Sequence, residues 1–241
     1  MASPLEQFDI LTVKKLEVAG LDASLTNSSL WMIGVAAGLT FFLWAAMRRG
    51  EMVPTRLQST AEMLYEFVAN MVRGNVGHGG RAYFPFIFSL FLFILGANLA
   101  GLLPYGFTVT SHIAVTFTFA AVVFLGVVVI GFARHGVKFL SLFWPSGAPL
   151  WLAWLIIPIE LISFLSRPVT LSVRLFANMT AGHILLKVFA GFIVPMGIFG
   201  ILPFAMNVAL SALELLVAFV QAYVFALLTC IYLNDAINLH H

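Results

Sequence analysis

The residues best suited to carry chemistry in this sequence are charged groups inside long apolar stretches. Between residues 150 and 233 these charged groups are Glu160, Arg167, Arg174, Lys187 and Glu214. A charge near the centre of a bilayer costs roughly 2.5 to 3.5 kcal/mol, so each position is a candidate for function. Arg167 is interpreted as an anchor that reaches the headgroups, and Lys187 fits an anchoring or a functional role equally well.

Arg174 is the charge that anchoring explains least. No acid lies within four positions of it, and a guanidinium keeps its proton in proteins. A permanent cation there must face a polar cavity or the carboxylate of a partner. At about 100° per residue, Asn178 shares a helix face with Arg174 and His183 lies opposite. We expect Arg174 to meet another helix and His183 to line a separate polar path, although a buried, hydrogen-bonded imidazole also fits His183.

A stripe of polar and small residues runs along the last apolar segment. It consists of Asn207, Ser211, Glu214, Ala218 and Gln221, spaced so that all lie on one helix face. The stripe fits a helix-packing seam held by small and polar residues. It also fits the wall of an aqueous half-pathway in which Glu214 and His183 exchange protons. Glu160 is a third titratable group at a different level of its helix.

The elements that position these groups must be membrane helices. The chain has 241 residues, of which 61% are hydrophobic and only 9% are charged, too few to cover a soluble surface. We predict an all-α integral membrane protein with a single membrane domain over residues 1–241. A net charge of +2 gives no basic field for nucleic acid, and the lone Cys230 offers neither a disulfide nor a cysteine metal site. We expect no cofactor and no metal.

Apolar runs of about 20 residues indicate the first three spans. The first span is predicted at residues 30–47, and the second and third lie within 84–133, which carries no charge. Residues 48–83 hold the amphipathic piece 54–72, which is typical of an interfacial helix. Five arginines in 48–83 place that segment inside by the positive-inside rule, and therefore place residues 1–29 outside.

The apolar region 150–233 is too long for two upright spans. Its first part, to Val194, would measure about 67 Å as one helix, against a hydrocarbon core of about 30 Å. It is predicted either as two spans broken at Pro168 or as one long, tilted and kinked helix. Counting therefore leaves five or six spans open.

Three motifs in the second half of the chain resemble a known family. They are NLAGLLPY at 98–105, IELISFLSRPVTLSVRLFANMTAGHILL at 159–186 and ELLVAFVQAYVFALL at 214–228. Together they resemble the subunit a, or subunit 6, family of F-type ATP synthases in its alphaproteobacterial and mitochondrial form, over about residues 48–233. The resemblance implies five spans, with the last two helices long, tilted and forming a hairpin against a rotor ring. It also implies an energy-coupling membrane, such as the bacterial inner membrane, with the C-terminus inside.

The resemblance implies roles for individual residues. Arg174 matches the family's essential arginine, which faces the c-ring carboxylates. Asn178, His183, Glu214 and Gln221 match the outer half-channel, and Glu160 matches the inner one. In some bacterial members acid and imidazole are exchanged between positions 183 and 214, which predicts that the two side chains touch. The implied function is a proton-translocating stator subunit, without catalytic chemistry of its own, that contacts the c-ring, peripheral-stalk b-type subunits and lipid.

The alternative function is a self-contained proton-coupled secondary transporter or channel with an Arg/Glu/His relay. That class predicts internal repeats, and none is convincing before and after residue 140. An intramembrane enzyme would need a nucleophile or a metal pair, and the sequence offers no such motif.

Overall fold

The computed structural model describes most of the chain as a helical membrane protein. The described residues are 12–14, 17–18, 21–22, 24–48, 50, 53–103, 106–143 and 152–238. Most of the predicted outer segment 1–29 lies outside these ranges, so its placement stays a prediction.

Six α-helices carry the fold within the described residues. In chain order they are α1 (Asn27–Met47), α2 (Arg56–Val76), α3 (Phe84–Gly101), α4 (Ile113–His135), α5 (Ala153–Ile193) and α6 (Ile201–Ile237). Before α1, the short strands β1 (Thr12–Lys14), β2 (Glu17–Val18), β3 (Leu21–Asp22) and β4 (Leu25–Thr26) pair antiparallel as β1 with β4 and β2 with β3. The predicted all-α membrane class is confirmed, and these small pairs are its only strands among the described residues.

Five helical stretches in the described part of the chain are long and apolar enough to cross a membrane. They are Asn27–Met47, Gly79–Gly101, Ile113–Leu140, Trp154–Ile193 and Gly197–Ile237. The fourth stretch settles the question left by counting, because α5 runs unbroken through Pro158 and Pro168. A helix inside a membrane protein tolerates interior prolines when neighbouring groups satisfy the freed backbone. The chain therefore has five candidate spans in the described ranges.

The amphipathic helix α2 lies between the first and second spans. Its buried residues are Ala61, Val68, Met71, Val72 and Val76, whereas Arg56, Glu62, Glu66 and Arg73 are exposed. This arrangement confirms the predicted division into an apolar and a polar face. The spacing of apolar residues also predicts Leu57 on the apolar face, but 54% of its surface is exposed because it lies in the first turn, ahead of the buried residues.

Helix α6 is the centre of the packing and contacts α2, α3, α4 and α5. Ala218, Ala222 and Ala226 are fully buried at four-residue spacing, so neighbouring backbones can approach α6 closely. Near the end of α6, His135 of α4 places Nε2 2.9 Å from the Ile237 carbonyl oxygen. At its beginning, a turn containing Gly197, whose φ of +55° suits glycine, connects α5 to α6. Both ends of α6 are thereby positioned against its neighbours.

Candidate functional site

An imidazole and a carboxylate meet between α5 and α6. His183 Nδ1 contacts Glu214 Oε1, and the exposed fractions of the two residues are 6% and 4%. The contact confirms the prediction made from the exchanged acid and imidazole. The pair has no net charge either as imidazolium with carboxylate or as imidazole with carboxyl. A single proton can therefore shift between the two side chains without creating a net buried charge.

The ring of His183 is oriented by contacts at both nitrogens. Nδ1 lies 3.0 Å from the Met179 carbonyl oxygen, one turn earlier in α5. Nε2 lies 2.9 Å from the Gly101 carbonyl oxygen and 2.9 Å from Thr108 Oγ1. Because carbonyl oxygens only accept, a proton on either nitrogen has an acceptor. The end of α3 and the loop after it thus help to hold the ring against Glu214.

Two glycines allow these groups to approach each other. A Cβ added at Gly182 would lie 2.8 Å from Glu214 Oε1, and one added at Gly101 would lie 2.7 Å from Thr108 Oγ1. Both distances are shorter than real Cβ contacts. The sequence analysis did not identify either glycine, although Gly182 directly precedes His183 in the AGH sequence.

A second polar cluster docks the loop between α3 and α4. Thr110 Oγ1 donates to Asn98 Oδ1 at 2.8 Å, and Asn98 Nδ2 donates to the Ala218 carbonyl oxygen at 3.1 Å. Asn98 is completely buried. Thr180 Oγ1 donates to the Ser111 carbonyl oxygen at 3.4 Å. The sequence analysis did not identify this loop, although its hydroxyl residues and an asparagine within an apolar run are a usable signal.

A cavity of about 160 Å³ borders Glu214. Its lining includes Asn178, Gly182, Leu210 and Val217. The Oε2 atom of Glu214 is buried and has no hydrogen-bond partner among the described residues. A volume of this size can hold a few water molecules at about 30 Å³ each. The cavity brings Asn178 and Glu214 to one space, while most of its lining is apolar.

Arg174 lies on the opposite side of α5 from His183. Arg174 and Asn178 are exposed, whereas Leu175, Met179 and His183 are buried. This burial pattern confirms the expected opposition of the two faces. No acidic side chain among the described residues comes within ion-pair distance of Arg174.

The structure shows a contact of Arg167 that the sequence did not indicate. Its guanidinium donates from Nη1 to Asp235 Oδ2 at 2.9 Å, and both side chains are partly exposed. The guanidinium also lies 5.4 Å from the Phe164 ring centroid and 5.0 Å from that of Tyr232. Arg167 therefore connects α5 to the end of α6, and its contact with headgroups stays a prediction. The ion pair could not be seen in the sequence because Asp235 is 68 positions away.

The structure does not place the remaining predicted residues beside the His183–Glu214 pair. Glu160 is half-buried near the start of α5, and Gln221 is half-buried two turns beyond Glu214 in α6. Ser211 is exposed and donates to the Asn207 carbonyl oxygen of its own helix at 2.9 Å. The stripe on α6 is therefore buried at its middle, around Glu214, and more open before it. Within the described residues, no group of three acidic, histidine or cysteine side chains is placed to bind a metal.

These features define a class, a polytopic helical membrane protein whose last two long helices hold a buried acid–imidazole pair and a separate permanent cation. Comparison with known proteins gives the family. The model of the family described as ATP synthase A chain matches residues 29–234. The chain therefore belongs to the ATP synthase A chain family, whose members take part in ATP synthesis and proton transport. The resemblance found in the motifs is confirmed.

Individual relatives agree over the full length of the chain. ATP synthase subunit a of Rhodospirillum rubrum is 57% identical over 241 residues, covering all of both chains. ATP synthase subunit a of Parvibaculum lavamentivorans is 56% identical over 245 residues, covering 99% of this chain and 94% of the other. The protein of the same name from Paramagnetospirillum magneticum is 55% identical over 247 residues and covers all of both chains.

Proposed function

We propose that this chain is the proton-translocating stator subunit of an F-type ATP synthase and works through two offset half-channels separated by Arg174. The observation that carries the proposal is the buried His183–Glu214 pair on one side of α5 with an exposed guanidinium on the other. Family membership supports the assignment to an ATP synthase, and the arrangement of these charged groups supports two separate proton paths. The role is transport, without catalytic chemistry in this subunit.

Protons enter from outside through the pair. In this scheme Gln221, Glu214 and His183 line the path along α6 and α5, and the titratable pair Glu214 and His183 carries the proton. Asn178 borders the cavity beside Glu214. The proton then neutralises a carboxylate of a rotor c-ring. A neutral carboxyl moves through hydrocarbon at a much lower desolvation cost than a carboxylate.

The position of Arg174 supports a contact with the rotor ring. Its side chain is exposed and has no acidic partner among the described residues. A c-ring carboxylate would supply the missing negative charge, and the guanidinium would favour loss of that group's proton on the inner side. The same fixed cation repels a proton that attempts to pass directly between the two paths.

Glu160 is proposed to line the inner path. It is fourteen residues before Arg174, about 21 Å along α5, whereas His183 is nine residues after it, about 14 Å. The two titratable levels are therefore separated along one helix with the cation between them. A proton can then cross the membrane only while it is bound to a carboxylate of the rotating c-ring. The transmembrane potential, worth about 2.3 kcal/mol per charge per 100 mV, therefore drives rotation.

The proposal includes partners and orientation. The c-ring covers the Arg174 face, peripheral-stalk b-type subunits hold the chain still, and the bacterial inner membrane surrounds the complex. The N-terminus lies outside and the C-terminus inside, since five arginines in 48–83 favour an inner location for that segment. A self-contained transporter would need a partner for Arg174 within the chain.

Replacement of Arg174 tests the function. Arg174→Ala in the reconstituted complex should abolish ATP-driven acidification of vesicles while the chain still inserts and assembles. Val173→Ala, which trims an exposed apolar neighbour, is the matched control and should pump normally. Full pumping by Arg174→Ala would refute the role of the cation. Proton transport by the purified chain without a ring of partner subunits would favour the transporter.

A further inference from the structure

A basic cavity lies between α2 and the beginning of α3. It has a volume of about 520 Å³, and its lining includes Tyr65, Arg73, Gly77, Arg81 and Phe84. Both arginines are exposed, and among the described residues neither forms an ion pair with an acid. Two guanidinium groups therefore border one space without a negative counterpart in the described chain.

The path of the backbone brings the two arginines together. Helix α2 ends at Val76, and Gly77 follows with φ of +71°, a value that suits glycine. The 3₁₀ segment Gly77–Tyr83 then carries Arg81 back beside α2, where Arg73 occupies the last turn. The arginines thus border the same cavity from two different elements.

Other arginines near the membrane boundary are differently placed. The guanidinium of Arg48 lies 5.0 Å from the centroid of the Trp44 ring, and that of Arg134 lies 5.9 Å from the centroid of the Tyr83 ring. Arg73 and Arg81 have no such ring contact among the described residues. Both arginines instead line the cavity.

The rest of the cavity is apolar and adjoins the membrane. Tyr65 packs edge-on against Phe84 with ring centroids 4.8 Å apart, and Phe84 begins α3 within the second candidate span. Tyrosine is typical of the level at which lipid headgroups meet the acyl chains. The cavity therefore combines a basic rim with an apolar wall beside the start of the second candidate span.

We propose that this cavity binds the headgroup of an anionic phospholipid, with its phosphate between Arg73 and Arg81 and its glycerol and upper acyl chain against Tyr65 and Phe84. The planar guanidinium forms paired hydrogen bonds with phosphate oxygens. Basic pockets beside membrane helices on the inner side bind such headgroups. The apolar wall selects a lipid over a free anion, because a soluble phosphate would leave that wall without a partner. The site is independent of the proposed proton path.

Photolabelling of the intact complex in vesicles tests the proposal. Two sets of phosphatidylcholine vesicles are prepared. One contains a small fraction of photoactivatable phosphatidylglycerol, and the other contains the same fraction of photoactivatable phosphatidylcholine, with the photoactivatable group on the headgroup in both. The readout is the labelled fraction of peptides covering residues 57–85. We expect phosphatidylglycerol to label these peptides in preference to phosphatidylcholine. The Arg73→Gln, Arg81→Gln double variant should lower labelling about thirtyfold, because each basic residue contributes about fivefold.

The controls separate this site from general surface charge. Arg56→Gln removes a charge from α2 outside the cavity and should keep the labelling. Lysines at both positions should retain part of it, because the charge remains and the paired hydrogen bonds are lost. The proposal is overturned by equal labelling from the two lipids or by an equal loss in Arg56→Gln. It is also overturned if inorganic phosphate competes as well as unlabelled phosphatidylglycerol, which would indicate a free-anion site.

Discussion

Replacing Gly182 by alanine should separate His183 from Glu214 while leaving the rest of α5 in place. The new Cβ would lie 2.8 Å from Oε1 and 3.0 Å from the carboxyl carbon of Glu214. The carboxylate must retreat by about 0.6 Å to reach an ordinary contact of 3.4 Å. At an exposed site this movement would be easy. Here the carboxylate is buried and bonded to His183, so the retreat weakens that contact.

Gly182→Ala should stabilise helix α5 but worsen the packing around Glu214. Alanine in place of glycine stabilises a helix by about 1 kcal/mol. Overpacking of a well-filled site costs about 1 to 3 kcal/mol, so the net stability should be unchanged or lower. A displacement of 1 Å at a reacting group can reduce a rate by about a hundredfold, and 0.6 Å should therefore reduce proton pumping about tenfold or more.

Gly191 provides the matched control on the same helix. A Cβ at Gly191 meets nothing within 4 Å, so Gly191→Ala should gain the helix stabilisation without any steric contact. Fluorescence quenching in reconstituted vesicles measures pumping, and thermal inactivation of the purified complex measures stability. The reasoning is refuted if Gly182→Ala pumps at the wild-type rate, or if both variants gain the same stability.

Three further predictions concern contacts outside the pair. Asn98→Leu leaves buried hydrogen-bonding groups without partners and should destabilise the protein by about 1 to 3 kcal/mol. The control Ser89→Ala loses only a hydrogen bond to its own helix and should keep its stability, so equal melting temperatures of the two variants would contradict this prediction. Arg167→Gln and Asp235→Asn should show a coupling of about 0.2 to 1 kcal/mol in a double-mutant cycle, because both side chains are partly exposed, and a coupling near zero or above 3 kcal/mol would disagree. Burial lowers the pKa of His112 below its usual 6.5, so the unfolded chain binds a proton more readily than the folded chain. Stability should therefore fall as the pH drops through about 6.5, and His112→Gln should remove this dependence of the thermal unfolding temperature on pH.

The membrane helices could be predicted because their signal is local. Apolar runs of sufficient length indicate α1, α3 and α4, and the spacing of apolar residues indicates the buried face of α2. The opposition of Arg174 and His183 also follows from helix geometry alone, since both residues lie in α5. Counting could not decide whether α5 is one helix or two, because prolines within a membrane helix are compatible with either arrangement.

The contacts that shape the site could not be predicted because they join distant parts of the chain. His183 meets Gly101, which is 82 positions away, and Thr108, which is 75 positions away. Neither residue lies in a helical pattern that indicates its direction, since both come at or after the end of α3. The ion pair of Arg167 was missed for the same physical reason. Its charge looked isolated in the sequence, whereas folding brings Asp235 to it.

The different burial of the charged groups has a consequence for any rotor that must move past Arg174. A buried ion pair costs about 3 to 5 kcal/mol when one partner leaves, whereas an exposed pair contributes about 0.2 to 1 kcal/mol. A potential of 100 mV supplies about 2.3 kcal/mol per charge, which is less than the first cost and more than the second. The exposed face of α5 that carries Arg174 is the face that the proposed c-ring covers, so a pair between Arg174 and a c-ring carboxylate is buried while it lasts. Under the proposed mechanism, the potential alone therefore does not separate the two charges, and a carboxylate leaves Arg174 as the next carboxylate of the ring takes its place.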